Sequence, residues 1–199
     1  MRYPMRCGFA EGERRKNYAF YGKSDTLEKE KAYPSVVVLI GSKGEFRMEN
    51  CSIVTKPALH LIGISYCGPY STFPDEAIRL QSEFLARKHE LQAETNTSAL
   101  YSPYFGNEVF ATYWACYETH PREELPLPPG MVQFTIPPHR YAMAGCSNKR
   151  IGEGYEQLKS WMHEMGLQKD DSALCLEIFY IDEHHLEEEP VELLIPLKE

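Results

Sequence analysis

The chain has 199 residues, with 21 Lys or Arg against 29 Asp or Glu, a formal charge of −8. Hydrophobic residues make up 43% and charged residues 25%, enough to bury one core and ordinary for a globular domain. That charge argues against a protein held on nucleic acid or an anionic membrane by a basic patch. The longest apolar run, Val36–Ile40, is too short to cross a bilayer. The opening residues are polar and arginine-rich, without a signal-peptide pattern, so a cytoplasmic location is predicted. Six cysteines at 7, 51, 67, 116, 146 and 175 contain no C-x-x-C pair and read as small buried side chains in a reducing compartment. No metal and no cofactor is predicted.

Charge divides the chain in two. Residues 1–47 carry ten Lys or Arg and six Asp or Glu, whereas residues 48–199 carry eleven and twenty-three. The first segment shows little periodicity apart from Val36–Ile40, which reads as one strand. Residues 1–47 are therefore read as an N-terminal extension, and residues 48–199 as one domain. Lys43-Gly44-Glu45 can be encoded by a purine-rich run resembling a bacterial ribosome-binding site ahead of Met48. Two readings of the extension follow: native sequence, or upstream sequence read in frame before a natural start at Met48.

Within the domain an echo recurs at an offset of 80, where Ile53–His60 faces Gln133–Arg140. In each copy a β-rich stretch with a proline at a bulge or turn precedes a helix. The first helix is predicted over residues 74–91, capped by Thr72, with Ala77, Leu80, Phe84 and Leu91 on one face. Two strands follow at 100–105 and 109–117, joined by a hairpin at Gly106-Asn107. The second helix is predicted over residues 149–165. Ile151, Tyr155, Leu158, Met162 and Met165 form its apolar stripe, and Gly166 is the residue beyond its end. Strands at 174–181 and 191–197 flank an acidic loop. Each half thus reads β(β)-α-β-β, with one or two strands ahead of the helix. The fold class is α+β, with helices packed on antiparallel sheets and a ligand cleft between the halves.

Leu174–Ile181 is apolar on both faces except at Glu177. Alternation puts Glu177 with Phe179 on the cleft face, and Ile178 with Tyr180 against a helix. A carboxylate in an apolar strand is costly to keep charged, so it needs a partner or serves as one. One reading is a counter-charge for a cationic ligand, or a general acid or base. The other is a glutamate on a half-exposed face, bonded to a nearby side chain. Aromatic residues cluster at 66–73, 101–105, 110–117 and 179–180, as the walls of a site for flat or cationic compounds would. Trp114 is the leading wall residue, with Tyr70, Phe105, Phe110 and Phe179 beside it. Trp161 on the second helix is expected to lie apart. His184-His185 reads as solvated loop and Gly152-x-Gly154 as packing at a helix entry. Neither is assigned chemistry.

Several stretches of residues 48–199 resemble the GyrI-like small-molecule-binding domain, which also serves as the effector-binding module of multidrug-responsive regulators. They are Cys51–Gly63, Thr112-Tyr-Trp-Ala-Cys-Tyr-Glu118, Leu127-Pro-Pro-Gly130, Glu156–Trp161, and Leu176-Glu-Ile-Phe-Tyr-Ile181 leading to Leu194–Lys198. The resemblance implies two β-α-β-β repeats related by a pseudo-twofold axis, with an aromatic cleft around a central acid matching Glu177. Three functions follow from it. The first is a binder of bulky aromatic or cationic compounds. The second is a hydrolase opening the cyclopropane ring of DNA-alkylating natural products with Glu177 as the catalytic residue. The third, a weaker fit, is an accessory to gyrase inhibition or transcription regulation. The implied partner is a small molecule, with no direct nucleic-acid or membrane contact. No feature specifies the oligomeric state.

Overall fold

In the computed structural model the described residues are 51–91, 95–120, 127–181 and 188–199. The Val36–Ile40 strand, the start at Met48, and the His184-His185 loop all lie outside them. Eight strands run β1 (Ser52–Lys56), β2 (Leu59–Pro69), β3 (Asn96–Gly106), β4 (Phe110–Glu118), β5 (Val132–Ile136), β6 (His139–Ser147), β7 (Cys175–Tyr180) and β8 (Pro190–Pro196). Helix α1 (Asp75–Ala86) lies between β2 and β3, and α2 (Ile151–Glu164) between β6 and β7. Among the described residues no helix is long and apolar enough to cross a membrane.

All eight strands form one antiparallel sheet in the order β1-β6-β8-β7-β3-β4-β2-β5. Exchanging the two repeats reverses this order and leaves it unchanged, so the pseudo-twofold axis passes between β3 and β7. The offset of 80 is visible in the coordinates, because β5 begins 80 residues after β1 and β6 begins 80 after β2. Proline explains the break within each copy. Pro57-Ala58 and Pro137-Pro138 end β1 and β5, since proline offers no N–H to a ladder. Each chain then crosses over, and β1 pairs with β6 of the other repeat while β5 pairs with β2.

Both faces of the sheet are covered by apolar side chains. The helix-side core joins Leu80 and Phe84 of α1 and Leu158 and Met162 of α2 to Tyr113, Phe179 and Leu193 of the sheet. The strand-side core joins Leu61, Cys116, Tyr141, Leu176, Ile178 and Leu194. Ile178 belongs to this second core and Tyr180 packs on it. This corrects the expectation that both face a helix. Alternation separates two faces but does not say which one carries the helices, and here both are apolar.

The helices differ from expectation mainly at their ends. Helix α1 stops at Ala86, and a 3-10 turn over Lys88–Glu90 completes the predicted span. Thr72 does not cap it. Its hydroxyl donates to the Pro69 carbonyl at 2.8 Å within a 3-10 turn over Tyr70–Thr72, and Pro74 holds the cap position. Met165 is the C-cap residue of α2 and is exposed, not part of the buried stripe. Gly154 lets α2 approach the sheet, since a Cβ there would stand 2.7 Å from Leu193 Cδ1. Gly166 follows the C-cap at φ +65°, with its N–H on the His163 carbonyl and the Leu167 N–H on the Met162 carbonyl. This is a Schellman end, and glycine is favoured there because it has no Cβ. Gly166→Ala is expected to cost roughly 1 kcal/mol, read as a lower midpoint in urea with an unchanged slope.

Candidate functional site

Glu177 lies on β7 directly across from Ser102 on β3, at the junction of the two repeats. The strand registers make these two residues pseudo-twofold mates. Tyr104 and Phe179 correspond, because they pair with Tyr113 and Val191, which occupy matching places on β4 and β8. The site is therefore asymmetric at the axis itself, with a carboxyl from one repeat and a hydroxyl from the other.

Glu177 is nine-tenths buried on the helix side of the sheet. Tyr113 on β4 donates its phenol to Oε2 at 2.7 Å, and Tyr155 on α2 donates to Oε1 at 3.0 Å. Gln81 on α1 donates through Nε2 to Tyr113 Oη at 3.0 Å and to Ser102 Oγ at 3.2 Å. A chain of hydrogen bonds thus ties both helices to one carboxyl. Aromatic rings surround it. Tyr104 stacks on Tyr113 at 6.4 Å between centroids and meets Tyr155 edge-on at 6.3 Å. Phe73 packs on Tyr113 at 6.1 Å and on Tyr66 at 5.8 Å.

Electrostatics follow from this burial. Desolvation pushes the Glu177 carboxyl above the ordinary glutamate range, and the two phenol hydrogen bonds offset part of that rise. Burial also raises Tyr113 and Tyr155, and the neighbouring Glu177 charge raises them further. Both phenols therefore remain donors at neutral pH. No cation pairs with Glu177 among the described residues. A buried carboxyl with phenol donors and no counter-charge can accept a cation, or it can hold a proton and deliver it.

The structure brings only some of the predicted residues together. Phe179 shares the face of Glu177 and joins the helix-side core. Trp114 does not, because it packs on the strand-side core against Phe134, with centroids 5.8 Å apart. Its neighbour Tyr113 faces Glu177 instead, one residue away and on the opposite side of the sheet. Phe105 alternates away from Tyr104, and Phe110 shares the parity of Trp114. Both are half-exposed near the β3–β4 turn. Tyr70 is exposed on the 3-10 turn after β2. Trp161, expected to lie apart, packs against the helix-side core. Tyr104, Tyr113, Tyr155, Gln81 and Ser102 were not singled out from sequence. Tyr155 was visible there only as one member of an apolar stripe, and its hydroxyl was the unused signal.

A duplicated β-β-α-β-β unit whose eight strands form one sheet with two helices on one face, built around a carboxyl at its axis, defines an α+β domain of paired repeats. The sequence pattern of the GyrI-like small molecule binding domain matches residues 49–198, and the chain belongs to that family. No curated protein matches the chain in sequence. Solved structures share its fold at low identity. SAV2435 bound to tetraphenylphosphonium is 14% identical, with TM-score 0.58 over 75% of this chain and 94% of that one. A Vibrio cholerae integron cassette protein is 12% identical, with TM-score 0.56 over 75% and 97%. The C-terminal domain of EcmrR is also 12% identical, with TM-score 0.55 over 75% and 98%.

Proposed function

We propose that residues 48–199 act as a binding domain for bulky aromatic cations, taken on the helix-side face with the positive centre at Glu177. The buried carboxyl without a counter-charge, ringed by Tyr104, Tyr113 and Tyr155, carries this reading. Aromatic faces attract cations through their quadrupole, and the carboxylate adds a full charge in a desolvated place. Phe179 supports the wall beside the carboxyl, whereas Trp114, Phe105, Phe110 and Tyr70 have no part in this version of the site.

Tetraphenylphosphonium, the ligand of the SAV2435 structure, belongs to this chemical class and is the natural first probe. Calorimetric titration is expected to show binding that Glu177→Gln weakens by about 1–3 kcal/mol, roughly five- to 150-fold in Kd. A neutral compound of the same shape should lose little. Equal affinity of wild type and variant for the cation would remove Glu177 from the reading. A second function has its own support, because a carboxyl raised by burial and held by two phenols suits a general acid. Incubation with a cyclopropane-bearing alkylator separates the two readings by mass spectrometry. A product heavier by one water means hydrolysis, and unchanged compound with a measurable Kd means binding.

A further inference from the structure

We propose that Lys159 sets the ligand specificity of this site, favouring aromatic zwitterions over plain aromatic cations. The inference rests on the reading that a cationic centre sits at Glu177. Lys159 lies one helical turn after Tyr155 on α2, so both side chains share a helix face. Its Nζ stands over the Tyr155 ring, 5.9 Å from the centroid. The phenol of the same ring donates to Glu177. One tyrosine thus meets a carboxylate at its hydroxyl and an ammonium over its ring face. Burial raises the Cys175 thiol and the Lys159 charge lowers it, and that thiol shares a hydrogen bond with Tyr104 of the same aromatic cluster.

A second cation stands over a tyrosine of this cluster and makes an instructive contrast. Arg79 on α1 lies 5.6 Å from the Tyr66 centroid, but it pairs with Glu76 at 2.8 Å and Glu83 at 3.1 Å. Lys159 has no carboxylate partner among the described residues. One cation at the site is neutralised and the other keeps its charge for whatever lies beside it. A ligand with its positive centre at Glu177 and its aromatic body beside Tyr155 comes up against that ammonium. A second positive charge there is repelled, while a carboxylate or carbonyl oxygen accepts its N–H groups.

Rhodamine B and its ethyl ester test this directly, because they share one xanthene cation and differ in a free or blocked carboxylate. Wild-type protein is expected to bind the free acid more tightly. Lys159→Met should weaken the acid and strengthen the ester, roughly two- to fivefold each for an exposed charge, and Lys159→Arg should restore the wild-type order. The preference should shrink as salt is raised. Equal changes for both dyes in Lys159→Met would overturn the inference. Glu177→Gln tells the two failures apart. If it weakens both dyes while Lys159→Met leaves their ratio unchanged, only the role of Lys159 is lost. If it leaves both dyes unaffected, or if neither dye binds wild type, the reading of the site and this inference fall together.

Discussion

Lys56→Met is expected to destabilise the protein by about 3–5 kcal/mol, several times the loss expected of Gly166→Ala. Lys56 ends β1, and its Nζ meets Glu192 Oε2 at 2.9 Å. Glu192, on β8, is fully buried beside the strand-side core, and its other oxygen, Oε1, has no hydrogen-bond partner among the described residues. Removing the lysine leaves a carboxylate in an apolar place with nothing to offset its desolvation. The double variant Lys56→Met/Glu192→Leu should recover most or all of the loss, since burying two apolar groups carries no such penalty.

The molecule contains its own comparison for this claim. Position 56 corresponds to Ile136 through the offset of 80. Ser65 pairs with Trp114 in one repeat, and its counterpart Gly145 pairs with Glu192 in the other. The pseudo-twofold mates of the ion pair are therefore Ile136 and Trp114, both packed in the strand-side core. One half of the fold meets the same positions with apolar side chains, so the fold itself does not require the charges. Thermal unfolding of the two variants decides the matter. A loss below about 1 kcal/mol for Lys56→Met would show that Glu192 carries no buried-charge penalty.

The repeat, both helices and the two strands after each helix were legible in the sequence because each rests on a strong local signal. By contrast, β1 with β2 and β5 with β6 read as one β-rich stretch each. The offset of 80 carried the duplication, the 4-3-4-3 spacing of Ile151 to Met165 carried α2, and Gly166 marked its end. The cross-pairing of β1 with β6 was not legible, since nothing local tells a strand which partner it will meet after Pro57. Glu177 stood out because it is the lone charge in an apolar strand. Its surroundings did not stand out, and β4 shows why. Ala111, Tyr113, Ala115 and Tyr117 alternate with Phe110, Thr112, Trp114 and Cys116, and both sets are mostly aromatic or apolar. With a core on each face of the sheet, period-two alternation sorts the residues into two sets without saying which set meets the acid. The bulkier Trp114 drew the assignment, and Tyr113, whose hydroxyl reaches Glu177, was the residue on the acid's side.

The stability of the protein is expected to fall as pH rises through the titration of Glu177, and Glu177→Gln should abolish that fall. The sign follows from the direction of the shift. Burial raises the carboxyl in the folded state above its value in the unfolded chain, so folding favours the protonated form. The stability from this group is complete below the ordinary glutamate range and is lost as pH climbs through the raised value. The loss amounts to about 1.4 kcal/mol for each pH unit of that rise. Glutamine keeps the shape and stays neutral, so the variant should match wild type in acid and exceed it near neutrality, by urea unfolding across the range. Affinity for tetraphenylphosphonium should move the other way in the same window, rising by up to about tenfold per pH unit, because the cation requires the ionised carboxylate. A neutral ligand of similar shape should show no such rise. Two opposed profiles with one midpoint, both flattened by a single substitution, would tie the cost of the buried acid to its use as a counter-charge. A variant that keeps the wild-type slope would assign the titration to another group.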